Sequence, residues 1–220
     1  MKKEIKLEQK KIFLKGEGDN WYLRNKKFSN KERFKTKYLY SKINQIIKKI
    51  NNKLNFLEIG SSNGLFLLLL KKKIKNCNLI GVDPSKKAIK NLKTKNIKGI
   101  VGTADKLPVE RNSQDIILYG FCLYLCDKSD YRKIRNEAYR VLKKDKFLII
   151  FDFYSIVSKK NIYKHDKRIF SFKIDFSKIF LKNNKFRIIK KNIFKYDYLY
   201  KISEKKFSKD QLSIIILKKK

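Results

Sequence analysis

From about residue 35 to residue 151 the chain alternates short apolar runs with longer stretches of helical period. Leu39, Ile43, Ile46, Ile47 and Ile50 recur at the spacing of one helix face, with Lys42, Lys48 and Lys49 opposite them. Beyond that first helix, the pattern predicts strands over 54–59, 78–82, 97–101, 115–119 and 146–151 and helices over 65–74, 85–95 and 130–143. Ser85 is placed to cap the 85–95 helix. Such alternation dictates an α/β fold: a doubly wound, mostly parallel sheet with right-handed crossovers and helices on both faces. After Asp152 the rhythm stops. A mixed polar and aromatic stretch runs to about Phe180, and 186–199 and 211–217 read as two more strands. With no helix between them, they form most simply an antiparallel pair at the sheet edge. Residues 1–34, polar with scattered aromatics (Phe13, Trp21, Tyr22, Phe28), read as an irregular arm or lid ahead of one domain over 35–220.

Candidate chemistry concentrates where the first strand meets the next helix, at Phe56-Leu-Glu-Ile-Gly-Ser-Ser-Asn-Gly64. Open α/β sheets bind ligands outside the carboxyl ends of their strands, and a glycine turn there lets backbone approach the ligand. A dinucleotide site would want Gly60-x-Gly-x-x-Gly, but position 62 is Ser and position 65 is Leu. The glycine that makes room for a pyrophosphate is therefore missing, and no Gly-Lys-Ser/Thr follows to make a phosphate loop. These substitutions favour a nucleoside with an amino-acid tail. The next strand ends in Asp83-Pro84, 19 residues after Gly64. That is close to the offset of about 20 at which a carboxylate accepts ribose hydroxyls. The competing use of Asp83 is as an acid ahead of the helix near Ser85.

These two elements resemble the first motifs of class I S-adenosylmethionine-dependent methyltransferases, especially the type 11 group. The resemblance extends through Gly102-Thr-Ala-Asp105-Lys-Leu-Pro108, Asp115-Ile-Ile-Leu-Tyr-Gly-Phe-Cys-Leu-Tyr124 and Glu137-Ala-Tyr-Arg-Val-Leu-Lys-Lys-Asp-Lys-Phe147, covering roughly 54–153. It implies a seven-stranded sheet whose last two strands form a reversed hairpin, and S-adenosyl-L-methionine as cofactor. By that similarity Glu58, Gly60 and Gly64, with Ser61, Ser62 and Asn63 of the same turn, shape the methionine end of the pocket. Asp83, followed by Pro84, binds the ribose; Ala104 and Asp105 flank the adenine; Tyr119 stands beside the cofactor. Two departures stand out: Ser62 replaces the usual middle glycine, and Lys144-Asp-Lys146 replaces the usual Gly-Gly turn. The arm segment from Phe13 to Asn25 is similar to the start of methylases of pseudaminic acid and other surface-glycan gene clusters. There Trp21, Tyr22 and Arg24 could close over the cofactor, Arg24 pairing with its carboxylate; alternatively, the aromatics merely pin the arm down.

The formal net charge of +37 changes the picture less than its size suggests. Its excess is mostly lysine spread end to end, accompanied by Asn and Ile, as a base-biased genome would produce. Nucleic-acid readers lean instead on arginine's bidentate fork. Enzymes that methylate adenine amines resemble one another in an Asn/Asp-Pro-Pro-aromatic segment after the fourth strand, absent at Tyr119-Gly-Phe-Cys. Cys77, Cys122 and Cys126 match no zinc pattern, and neither Cys122 nor Cys126 follows a proline, as a pyrimidine-attacking nucleophile commonly would. They read as reduced thiols in a cytoplasmic protein. Neither a signal peptide nor a transmembrane segment is expected.

An oxygen acceptor would need a base, for which Asp152 and Tyr154 after the fifth strand and His165 in the irregular stretch are the candidates. The sequence supports methyl transfer to a small, anionic acceptor, such as a sugar nucleotide or lipid-linked glycan precursor. A tRNA or rRNA methyltransferase is the alternative, and a non-catalytic nucleoside-binding protein on the same scaffold is the second.

Overall fold

A computed structural model describes residues 8–26, 29–50, 53–195 and 210–220. Its strands β1 (Leu54–Ile59), β2 (Cys77–Asp83), β3 (Lys98–Val101), β4 (Gln114–Gly120) and β5 (Leu142–Tyr154) lie parallel in the order β3-β2-β1-β4-β5. After a small two-stranded sheet of β6 (Lys159–Ile162) and β7 (Phe170–Lys173), the last strands rejoin the main sheet. β9 (Gln211–Lys219) runs antiparallel beside β5, and β8 (Phe186–Lys195) pairs antiparallel with β9 on the outside. The seven-stranded sheet and reversed hairpin implied by the resemblance are both present. Strand order reverses between β1 and β4, which makes their carboxyl ends the place for a ligand.

Burial explains the order of the last two strands. In β9 the run Leu212–Leu217 is apolar apart from Ser213 and almost fully buried, so it needs cover on both faces. β8 interleaves lysines with isoleucines and is exposed over most of its length. Lysines on an outer strand also discourage pairing with another chain.

The arm preceding the sheet forms α1 (Gln9–Ile12), a π-turn over Phe13–Glu17, and α2 (Gly18–Asn25). α3 (Ser29–Lys48) packs Leu39, Ile43, Ile46 and Ile47 against Phe56, Leu118 and Ile149 of the sheet, together with α4 (Leu65–Lys73) and α5 (Lys86–Lys93). The opposite face is covered by α6 (Tyr131–Val141) and α7 (Ser177–Leu181), whose Ile134, Ala138, Ile179 and Phe180 meet Leu57, Ile117 and Ile150. Ser85 caps α5 as expected, its Oγ accepting from the Ala88 N–H at 3.0 Å.

Three differences from the sequence reading follow from tertiary packing. Over its described residues 9–25 the arm is helical rather than irregular. Its short helices hold because Ile12, Phe13 and Tyr22 are buried against the domain, a stabilisation that isolated turns of this length lack. α3 begins at Ser29, ahead of residue 35. β5 starts at Leu142 and continues through Asp145, whose φ of 60° is left-handed, so this departure from Gly-Gly occupies a position that glycine enters more easily. Positions 196–199, expected to extend β8, lie outside the described residues. Among the described residues, no helix is long and apolar enough to cross a membrane.

Candidate active site

The turn after β1 is held by the end of β2. The N–H groups of Gly60 and Ser61 donate to the Val82 carbonyl at 2.9 and 3.2 Å. Gly60 has φ 77°, and a Cβ there would lie 2.7 Å from Cys122 Cβ and 2.9 Å from the Gly120 oxygen. Only glycine fits without moving the end of β4. Ser62 is also left-handed, with φ 44°, and its N–H donates to Asp83 Oδ2 at 2.8 Å. The Ser85 N–H donates to Asp83 Oδ1 at 2.8 Å. Thus Asp83 clamps two turns while retaining lone pairs for a further donor. Burial pushes its carboxyl up to about 6, against those two N–H groups and with a further push from Asp19.

Two adjoining clefts open at this edge. The first, about 800 Å³ with its open mouth included, is lined by Val82, Asp83, Pro84, Ala104, Asp105 and Cys122 among others. The second, about 620 Å³ on the same basis, is lined by Lys35, Glu58, Ser61, Ser62 and Asn63 among others. Trp21, Gly60 and Phe121 line both. Ser61 is buried, and its Oγ has no hydrogen-bond partner among the described residues. Phe121 holds a left-handed φ of 49°, a strained conformation for an aromatic residue, and Lys35 Nζ sits 3.7 Å over its ring.

The arm roofs the first cleft. Asp19 accepts from Ser85 Oγ at 2.7 Å and from the Lys87 N–H at 2.9 Å. Gly18 approaches the Pro84–Ser85 backbone so closely that a Cβ would lie 3.1 Å from the Ser85 nitrogen. Lys10 reaches in to Asp105 at 2.7 Å and Asp130 at 3.0 Å. Burial disfavours its charge, but the two carboxylates outweigh this and hold the ammonium above its usual range. Asp105, raised by burial, is brought below its usual range by Lys10 and by Thr103, whose Oγ1 donates at 2.7 Å.

Six residues expected in the site line neither cleft. Arg24 lines neither cleft; its guanidinium donates to Glu17 and, at 3.0 Å, to the Tyr163 hydroxyl, which itself donates to Glu17. Tyr119 is fully buried against Phe180, because strand alternation turns it towards the α6–α7 face; Gly120 and Phe121 reach the second cleft instead. Asp152 is fully buried and accepts from the Leu123, Tyr124 and Phe153 N–H groups at 2.9, 3.3 and 2.8 Å, organising the turn over Leu123–Leu125. Burial pushes its carboxyl up to about 7 against those donors and the charge of Lys35. Tyr154 is buried beneath Lys191, and His165 is exposed beside Tyr163. Glu58, Gly60, Ser61, Ser62, Asn63, Asp83, Pro84, Ala104 and Asp105 do line the clefts. Gly64, with φ 69°, sets the start of α4 from behind, against Leu92.

Sequence reasoning missed Lys10, Lys35 and Phe121. The two lysines carry no signal among so many others, whereas Phe121 follows a strand end that was already marked. Cys122 and Cys126 are free thiols that burial pushes up, helped by Cys126 for the first and by Asp152 and its neighbouring carboxylates for the second, in keeping with packing rather than nucleophilic use.

Residues 57–150 match the family described as a methyltransferase domain. The ubiquinone/menaquinone biosynthesis C-methyltransferase UbiE of Rickettsia prowazekii (strain Madrid E) is 33% identical over 132 residues, covering 54% of this chain and 52% of that protein. The chain thus spans about half the length of this curated relative. Among solved structures, a SAM-dependent methyltransferase from Methanosarcina mazei shares the fold with a TM-score of 0.62 at 17% identity, over 79% of this chain and 96% of that one. The 1,6-didemethyltoxoflavin-N1-methyltransferase of Burkholderia thailandensis, solved with its substrate and S-adenosylhomocysteine, gives 0.68 at 10% identity over 94% and 88%. Residues 57–150 thus match a methyltransferase domain, and the chain as a whole shares the fold of S-adenosylmethionine-dependent methyltransferases.

Proposed function

We propose that the chain transfers a methyl group from S-adenosylmethionine to a small-molecule acceptor, with catalysis resting on alignment. The observation that carries this reading is the junction of the two clefts, built from Trp21, Gly60 and Phe121. When bound, the cofactor supplies an electrophilic methyl on a sulfonium. Asp83 would accept the ribose hydroxyls, the Val82–Pro84 and Gly102–Asp105 walls would hold the adenine, and Ser61 to Asn63 would meet the methionine end. The residues present fit that ligand: Asp83 has unused acceptor capacity at the first cleft, and Glu58, Ser62 and Asn63 bring polar groups to the second. The Trp21 ring is suited to a cation, and Phe121, whose ring already carries Lys35, helps to exclude water.

None of the three junction residues can take a proton, so a hydroxyl acceptor would need a carboxylate of the cleft walls, such as Glu58 or Asp127, to free its nucleophilic oxygen. Holding such an atom in line with the methyl supplies most of the acceleration. The name of the Rickettsia relative, a C-methyltransferase of quinone biosynthesis, supports a small acceptor over RNA. The arm's likeness to surface-glycan methylases supports a sugar nucleotide or lipid-linked sugar within that class. Incubation with labelled S-adenosylmethionine and fractionated lysate tests the reading. Label is expected in the small-molecule and lipid-extractable pools; label confined to RNA would replace it with the nucleic-acid alternative.

A further inference from the structure

Among the described residues, the three most exposed large apolar side chains are Ile156, Val157 and Ile162, at 77, 71 and 64%. The next, Ile189, is only 44% exposed. All three fall within one seven-residue stretch that leads into β6 and runs along it. Every residue of β6 is exposed, and its one strand partner is β7. The strip starts on a bend at Ile156 and Val157 and ends on β6 at Ile162, with Ser158, Lys159, Lys160 and Asn161 between them.

The strip is bordered by cations. Lys159 and Lys160 are exposed on β6 itself, and Lys164 and Lys167 are exposed on the turn that follows. Lys128 joins from the Leu123–Asp130 segment, its Nζ 3.1 Å from Ser158 Oγ. Asp166, the acid on that turn, is bonded to Arg168. Exposed aliphatic side chains interspersed with lysines make a poor nucleic-acid surface, because single-stranded readers stack bases on aromatic rings. They suit a bilayer, where aliphatic side chains enter the acyl boundary and ammonium groups stay among anionic headgroups.

We propose that the β6 strip is a docking surface for an anionic membrane. Part of the large positive charge is thereby given a place to act. The hairpin is also coupled to the roof of the first cleft: Gln9 Nε2 donates to the Phe170 carbonyl at 3.1 Å, and Ile12 and Phe13 pack with Tyr163 and Ile169. Docking through β6 would set the arm, and the cleft it covers, beside the bilayer.

The test is co-sedimentation of the full chain with vesicles of phosphatidylcholine alone or mixed equally with phosphatidylglycerol, at low and raised salt. Binding to the mixed vesicles is expected, with a part that survives salt. The triple variant Ile156→Ser/Val157→Ser/Ile162→Ser should bind them about tenfold more weakly, since its apolar insertion is gone. Lys72→Ser/Lys73→Ser, at the far end of α4, should change binding by less than about twofold. The substituted side chains are exposed, and unchanged circular dichroism confirms that the variants fold. Equal vesicle binding by wild type and triple variant would overturn the proposal, as would a triple variant that loses RNA binding in a gel shift while keeping vesicles. Neither readout needs turnover, so failure of methyl transfer and failure of docking are separately visible.

Discussion

Asp83 at the end of β2 and Asp152 in β5 are near twins by local chemistry. Both are buried, both accept backbone N–H groups on each carboxylate oxygen, and burial raises both. They differ in what lies beyond the carboxylate. Asp83 faces a cleft, whereas Asp152 is enclosed by the Leu123–Leu125 turn and lines neither cleft. Burial and a shifted carboxyl are therefore shared by a carboxylate at a cleft and one enclosed in the fold, and the open space beside the group separates them.

The comparison is sharpened most by Asp83→Ala. Loss of two charge-assisted hydrogen bonds, each about 1.5–3 kcal/mol, should weaken S-adenosylmethionine binding by two orders of magnitude or more in calorimetry. Asp152→Ala, like Asp83→Ala, should leave backbone N–H groups unpaired and cost about 2–4 kcal/mol of folding stability in urea titrations. The affinity of its folded fraction should be unchanged; a folded Asp152→Ala protein that no longer binds would erase the distinction.

A smaller pH effect follows from the same pair. Each folded carboxyl lies above its unfolded value near 3.9, so the native state holds the extra proton between the two. The stabilising contribution is full at low pH and fades as pH rises, up to about 6 for Asp83 and about 7 for Asp152. Subtracting the Asp152→Asn unfolding free energies from those of wild type across this range should isolate a term that falls with pH. Cofactor affinity should move the other way, weakening as pH drops through about 6 and Asp83 loses its charge.

Trp21→Ala should lower cofactor affinity about tenfold by opening the roof shared by both clefts, with less effect on stability. His165→Ala should leave turnover unchanged, because the imidazole is exposed and lines neither cleft. A loss of turnover there would bring the turn after β6 into the site.

What could be read along the chain follows from local periodicity and from residues with few conformational options. The apolar runs of β1, β4 and β5 named a buried parallel sheet, and the β1 turn with the acid ending β2 named the edge at which the two clefts open. Even the departures at Ser62 and Asp145 were visible, although their left-handed backbone was not. The catalytic candidates were not recoverable this way. Asp152, Tyr154 and His165 were chosen for residue type near a strand end, but side-chain direction and enclosure are set by neighbours distant in sequence.

By itself the sequence determined the α/β alternation, the glycine turn and the adjacent carboxylate, because each is encoded within a few residues of itself. Only the tertiary structure decided that the arm is helical and roofs the cleft, that Lys10 crosses to Asp105, that Arg24 is held by Glu17 and Tyr163, and that β9 lies inside β8. Those outcomes depend on contacts between segments many tens of residues apart, where burial and charge pairing choose among partners that local sequence leaves equivalent.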